Sequence, residues 1–200
     1  MLFFHSNNKA EALSVSFKPD GLNSKEAMLG FHPDWLNNNA HGRLYFRSSE
    51  WTKNGDDRGD HHSVIEFLDL KTLTNVKIIK AELIFHDGSV YDRNLNSSWD
   101  SDNTTSVFRI IEDWDKELVN GSNPPAIDSS ISAEIPRNNN NNDLKIADVT
   151  ALVQIMVDNP ETSFGFYLKQ KDPTHYRSMV FASSFVENSE EHPELRITYI

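Results

Sequence analysis

Period-two alternation is the feature that most limits what this chain can fold into. Leu44 and Phe46 alternate with Arg43, Tyr45 and Arg47. Ala81, Leu83 and Phe85 alternate with Glu82, Ile84 and His86, and Leu195, Ile197 and Tyr199 with Arg196 and Thr198. Successive side chains of an extended strand point to opposite faces, so each run offers one apolar side and one polar side. Short runs of this character cover residues 12–17, 27–31, 43–48, 63–69, 77–86, 106–114, 130–135, 145–149, 163–169, 177–183 and 195–200. None of them contains asparagine, although the chain has 20, including the runs 37–39 and 138–142. The asparagines therefore belong to connections, and 138–142 reads as a surface loop. Many short strands at close spacing predict an all-β chain, an antiparallel β-sandwich of two sheets. One helix interrupts the pattern near residues 150–157. Leu152, Val153, Met156 and Val157 share a helical face, Asp148 or Thr150 can cap it, and Asn159-Pro160 stops it.

Charge and composition narrow the function. Thirty acids against 19 lysines and arginines leave a net charge of −11. A field of that sign repels phosphate backbones and anionic membrane surfaces, which argues against nucleic-acid partners. No segment approaches the roughly 20 apolar residues of a membrane-spanning helix, so membrane insertion is not expected. Without cysteine there is no thiol catalysis, disulfide or thiolate metal site. Met1–Asn8 is too short and too quickly polar to read as a signal peptide. The organisation expected is an N-terminal extension over 1–11 and a single sandwich module over 12–200.

Two strands gather basic and aromatic side chains on the face turned from the core. One carries Arg43, Tyr45 and Arg47; the other carries Tyr167, Lys169 and, if it runs on, Lys171. Aromatic rings stack on the C–H faces of sugars, and guanidinium matches a uronate carboxylate. These six residues are the candidate ligand contacts. Asp20, Asn23 and Glu26 are the candidate ligands for a structural Ca2+, since calcium takes six to eight oxygens and this early loop is rich in them. Gly165, between Phe164 and Phe166, marks a close backbone approach. His61 and His62 are adjacent on an extended run, point to opposite sides and do not chelate together. Arg58-Gly59-Asp60 is a chance triplet in a polar loop. Trp35, Trp51 and Trp99 fall in loops, and Trp114 in the core. The Gly-x-Ser-x-Gly pattern of serine hydrolases is absent. His175, Tyr176, Arg177 and Lys171 have the residue types of a uronate lyase, though a surface turn accounts for them equally.

An ordered set of features runs through the C-terminal third. Asp148-Val149-Thr150 leads to Val153-Gln154, then Phe164-Gly165-Phe166-Tyr167-Leu168, then Phe181-Ala182-Ser183, then Pro193-Glu194-Leu195 through Tyr199. Upstream, Val64–Leu70, Ile78–Phe85 and Val107–Trp114 with Asn123-Pro124-Pro125 continue it. This order resembles the DNRLRE domain family and related carbohydrate-binding modules of bacterial and archaeal surface proteins. The resemblance implies a non-catalytic, jelly-roll-like β-sandwich on a secreted or surface protein, extracellular or on the cell surface, with a polysaccharide or glycan as partner. Some relatives bind acidic polysaccharides such as alginate. The alternative is a structural or adhesive subunit that meets a protein partner or self-associates and takes no sugar. A polysaccharide lyase or hydrolase is the third.

Overall fold

Each alternating run becomes a strand, and a further hairpin forms in the connection after residue 50. The computed structural model describes residues 11–53, 55, 57–92, 102–138 and 144–200. Residues 1–10 of the expected extension, Trp99 and residues 139–142 of the asparagine run lie outside the described residues. In chain order the strands are β1 (Leu13–Phe17), β2 (Lys25–Gly30), β3 (Tyr45–Glu50), β4 (Thr52–Lys53), β5 (Asp57–Arg58), β6 (His61–Glu66), β7 (Ile78–Phe85), β8 (Thr105–Ile110), β9 (Ile127–Ile135), β10 (Lys145–Asp148), β11 (Phe166–Gln170), β12 (Arg177–Ala182) and β13 (Glu194–Tyr199). The helix α1 spans Thr150–Asp158. Among the described residues one sheet has the order β1, β13, β7, β10 and a larger one the order β12, β3, β6, β11, β8, β9. β2 pairs along the whole of β6, whereas β3 touches β6 through the single pair Ser49 and His61. The pairings are antiparallel throughout. The chain is all-β, with two sheets packed as a sandwich.

The main core forms where the inner faces of the two sheets meet. Ala81, Leu83, Phe85, Leu195 and Ile197 come from the small sheet; Phe46, Ile65, Val107, Phe166, Leu168, Met179 and Phe181 come from the large one. Phe85 sits 4.8 Å from Phe181 and 5.5 Å from Phe46, centroid to centroid. Each such side chain taken fully from water contributes roughly 1.5–3 kcal/mol. The large sheet also buries part of its other face. Ala27, Leu29, Val64, Ile110 and Tyr167 join Trp114 and Val119 in a second buried cluster, with Phe31, Phe108, Ile127 and Phe164 packed against it. Trp114 lies beyond the end of β8 and is nonetheless buried, its indole N–H donating to the Phe164 carbonyl at 2.9 Å.

The helix begins where expected and buries Leu152, Val153, Met156 and Val157. Asp148 accepts from the Thr150 N–H at 3.0 Å and from its hydroxyl at 2.6 Å. Those hydrogen bonds hold its carboxyl below the usual range and close a turn onto the first helical residue, while the N-cap position itself falls to Val149, which makes no side-chain cap, so neither Asp148 nor Thr150 is the expected N-cap. Thr150 Oγ1 in turn accepts from the Ala81 N–H at 2.9 Å, and Gln154 Oε1 from the Ile78 N–H at 2.7 Å. The helix thereby satisfies the stretch of β7 that β10 does not reach. Gly165 adopts φ +101°, and a Cβ there would lie 2.2 Å from the Ile65 carbonyl oxygen. No other residue fits that approach.

Candidate functional site

The side of β3 opposite Phe46 carries Tyr45, Arg47 and Ser49, and two adjoining cavities open there. One, of about 250 Å³, is lined by Asn38, Arg43, Tyr45, Arg47, Trp35 and His61 among others. The second, of about 270 Å³, shares Trp35, Arg47 and His61 and adds Ser49, Trp51, Lys53 and Ser178. Together they fall in the roughly 300–1,000 Å³ range of small-ligand sites. Trp35 stands between them. Its ring packs against Gly30, where a Cβ would lie 2.1 Å from Cδ1, and stacks on His61 at 5.6 Å. Lys53 Nζ lies 4.9 Å from the same indole.

Arg47 is committed within this cleft. Nη1 donates to Asp92 at 2.7 Å, and Nη2 lies 3.1 and 3.2 Å from the two ring nitrogens of His61. Burial, and then the Arg47 charge, hold the His61 pKa well below its usual value. The ring is therefore neutral at neutral pH and free to accept from the guanidinium. Burial, with Asp92 second, raises the Tyr45 phenol. Lys53 pairs with Asp34. Arg43 differs: it is exposed, and among the described residues no carboxylate pairs with it. Its backbone is fixed, because the Arg43 carbonyl accepts from the Ser183 hydroxyl at 2.6 Å. At the outer edge of the second cavity Trp51 meets Tyr176 edge to face, centroids 5.3 Å apart at 90°. Tyr176 is 44% exposed and holds a left-handed backbone, φ 70°.

The structure separates the two halves of the predicted contact set. Arg43, Tyr45 and Arg47 line the cleft; Tyr167, Lys169 and Lys171 do not appear in its lining. Tyr167 faces away from the main core as expected but is not on an open surface. It is 5% exposed, covered by the second apolar cluster, and bonded through its hydroxyl to His62 Nδ1 at 2.6 Å. Burial raises its phenol above the usual value. Lys169 lies 5.1 Å above the Phe108 ring, and Lys171, beyond the end of β11, pairs with Glu134 at 2.7 Å. Leu44, expected on the core side of its strand, precedes β3 and is 46% exposed.

Of the candidate calcium ligands, Asp20 and Asn23 share one turn and Glu26 follows in β2. Asp20 Oδ1 accepts from the Leu22 and Asn23 N–H groups at 3.0 and 2.9 Å, closing a turn, and the Asn23 amide donates back to Asp20. Glu26 is buried and accepts from the Ser184 N–H at 3.0 Å. Among the described residues no three His, Asp or Glu side chains gather as a metal centre requires. His61 and His62 diverge, the first towards Trp35 and Arg47, the second towards Phe31 and Tyr167. Asp60 of the Arg-Gly-Asp triplet is buried and accepts from the Trp51 N–H at 3.0 Å. Arg177 is tied to Asp172 and to the Thr174 and Asp102 carbonyls, so it serves its own turn.

The sequence profile of carbohydrate-binding module family 96 matches residues 51–199. The chain belongs to that family. A search of curated proteins returned no match. The matched span of this family 96 module begins at Trp51, so Trp51, His61, Tyr176 and Ser178 lie within it. Trp35, Asn38, Arg43, Tyr45 and Arg47 come from the segment before it. The cleft is thus built jointly by the matched body and by the 50 residues that precede it. Asn38, Ser49 and Ser178 are linings that sequence reasoning did not single out. They carry no local signature: the β3–β12 pairing sets Ser178 opposite Ser49, and Asn38 comes from the connection between β2 and β3.

Proposed function

We propose that this module holds a carboxylate-bearing glycan in the cleft around Trp35, without catalysing a reaction on it, as part of a secreted or surface protein. The observation that carries the reading is Arg43. Among the described residues no carboxylate pairs with its guanidinium, which stands at the rim of an aromatic-walled cleft in a chain of net charge −11. Tyr45 and Trp51 offer ring faces and edges to sugar C–H groups, while Asn38, Ser49 and Ser178 supply hydroxyl and amide partners. Membership of a binding-module family supports the non-catalytic role, and the resemblance to surface-protein modules supports the location. An exposed guanidinium–carboxylate contact is worth about 1 kcal/mol or less, so binding to short oligomers is weak and falls with salt.

Affinity electrophoresis through gels containing acidic polysaccharides, with and without calcium, tests this. Retention at low salt should weaken on added salt and in Arg43→Ala, with the melting temperature unchanged. Lys169→Ala, away from the cleft, should migrate as the wild type does. Equal retention of Arg43→Ala and wild type disposes of the site.

A further inference from the structure

The two lobes of the cleft differ in what they can hold. In one lobe, Arg43, with no carboxylate partner among the described residues, shares the lining with Tyr45 and Asn38. A carboxylate there gains a charge-assisted, bidentate partner. The lobe beside Trp51 has no such group among the described residues. Its two cations are spoken for, Arg47 by Asp92 and Lys53 by Asp34, and its histidine is neutral. What it offers is the Trp51 ring, against which Tyr176 packs at a right angle, with Ser49, Ser178 and His61 in the same lining. Aromatic walls over hydroxyl and imidazole partners suit the C–H face and the hydroxyls of an uncharged pyranose. A carboxylate there would meet Arg47 and Lys53 already paired with carboxylates, and among the described residues no other lysine or arginine lines the lobe.

Tyr176 adds an independent observation. An aromatic residue at φ 70° occupies backbone space that L side chains rarely adopt. Its ring is 44% exposed and rests edge-on against Trp51. Strain of this kind persists only where the surroundings hold the residue in place, and it clusters at ligand-binding sites. The lobes are also contiguous, because Trp35, Arg47 and His61 border both.

We infer that the cleft reads a mixed repeat, an acidic sugar at Arg43 joined to a neutral pyranose at Trp51 and Tyr176, in preference to a polymer of uronates alone. This rests on the cleft reading above and adds the composition of the ligand. The test uses three soluble mixed polymers (hyaluronan, gellan and glucuronoxylan), their carboxyl-reduced forms, a homopolymeric uronan and a neutral glucan, titrated against the intact protein. At least one mixed polymer should bind ten-fold or more tighter than the uronan, the glucan and its own reduced form. Arg43→Ala should bring native and reduced polymer to the same affinity. Trp51→Ala and Tyr176→Gly should weaken both forms by a similar factor. Glycine accepts the positive φ, which offsets part of the lost packing on Trp51 and His175, and a melting curve of Tyr176→Gly taken beside each titration separates a ligand contact from a structural one. A uronan bound as tightly as every mixed polymer, or a Tyr176→Gly variant that binds normally, overturns the mixed-repeat inference and leaves the cleft in place. Glycan binding that ignores Arg43→Ala, Trp51→Ala and Tyr176→Gly alike overturns both.

Discussion

Glu26 gives the most direct test of the energetics in this fold. It lies in β2, almost wholly buried, with one carboxyl oxygen accepting from the Ser184 N–H and the other without a hydrogen-bond partner among the described residues. Burial pushes its pKa from 4.5 up to about 7, against the smaller opposing pull of the Ser184 hydrogen bonds and of Lys116. A carboxyl raised in the folded state is more easily ionised in the unfolded chain. Its favourable effect is therefore complete below about pH 4.5 and is lost as the pH climbs through about 7. At about 1.36 kcal/mol per unit, the cost at pH 8 comes to about 3 kcal/mol. Glu26→Gln keeps an oxygen for the Ser184 N–H and abolishes the ionisation. Urea unfolding of both proteins should show them within about 1 kcal/mol of each other at pH 5, with the variant ahead by about 2–3 kcal/mol at pH 8. Comparing the two proteins cancels the other titrations, including those of His61 and His62, whose depressed values make stability fall as the pH drops below 6.5. Parallel curves for the two proteins from pH 5 to 8 would refute the reasoning.

Three further outcomes follow from the packing. Gly165→Ala forces a Cβ against the Ile65 carbonyl at a left-handed backbone, and should cost about 3 kcal/mol or more in chemical denaturation. Gln154→Ala strands the Ile78 N–H and should cost about 1–2 kcal/mol, with far-UV circular dichroism unchanged below the transition. Tyr167→Phe leaves His62 Nδ1 buried without its 2.6 Å partner; about 1–3 kcal/mol of stability should go while glycan retention stays intact. Lost retention at an unchanged melting temperature would instead make Tyr167 a ligand contact.

Local rules carried the fold a long way. Alternation placed the strands, and the 152, 153, 156, 157 stripe placed the helix and its buried face, because both depend on periodicities that neighbours in sequence already express. The hairpin β4–β5 escaped notice because two residues per strand are too few to show a period. Tyr167 shows where that reasoning stops. Period two tells which side of β11 a residue takes, but not that Phe31, Trp114 and Val119 arrive from distant segments to cover that side. Arg43, Tyr45 and Arg47 were legible as a group because they alternate on one stretch. Their partners Trp35, His61, Ser178 and Asp92 come from four other segments, and only tertiary pairing assembles them.

The contacts from Thr150 and Gln154 to β7 bear on how this protein would fail. The small sheet leaves the Ile78–Ala81 half of a central strand unmatched on one side, and an open strand edge is a template for another chain. Two side chains of a nine-residue helix plug it, acting as surrogate backbone. If α1 detaches, the protein exposes apolar residues and a ready hydrogen-bonding ladder at the same moment. Damage to this short helix should therefore show first as association between molecules, before the sandwich itself comes apart.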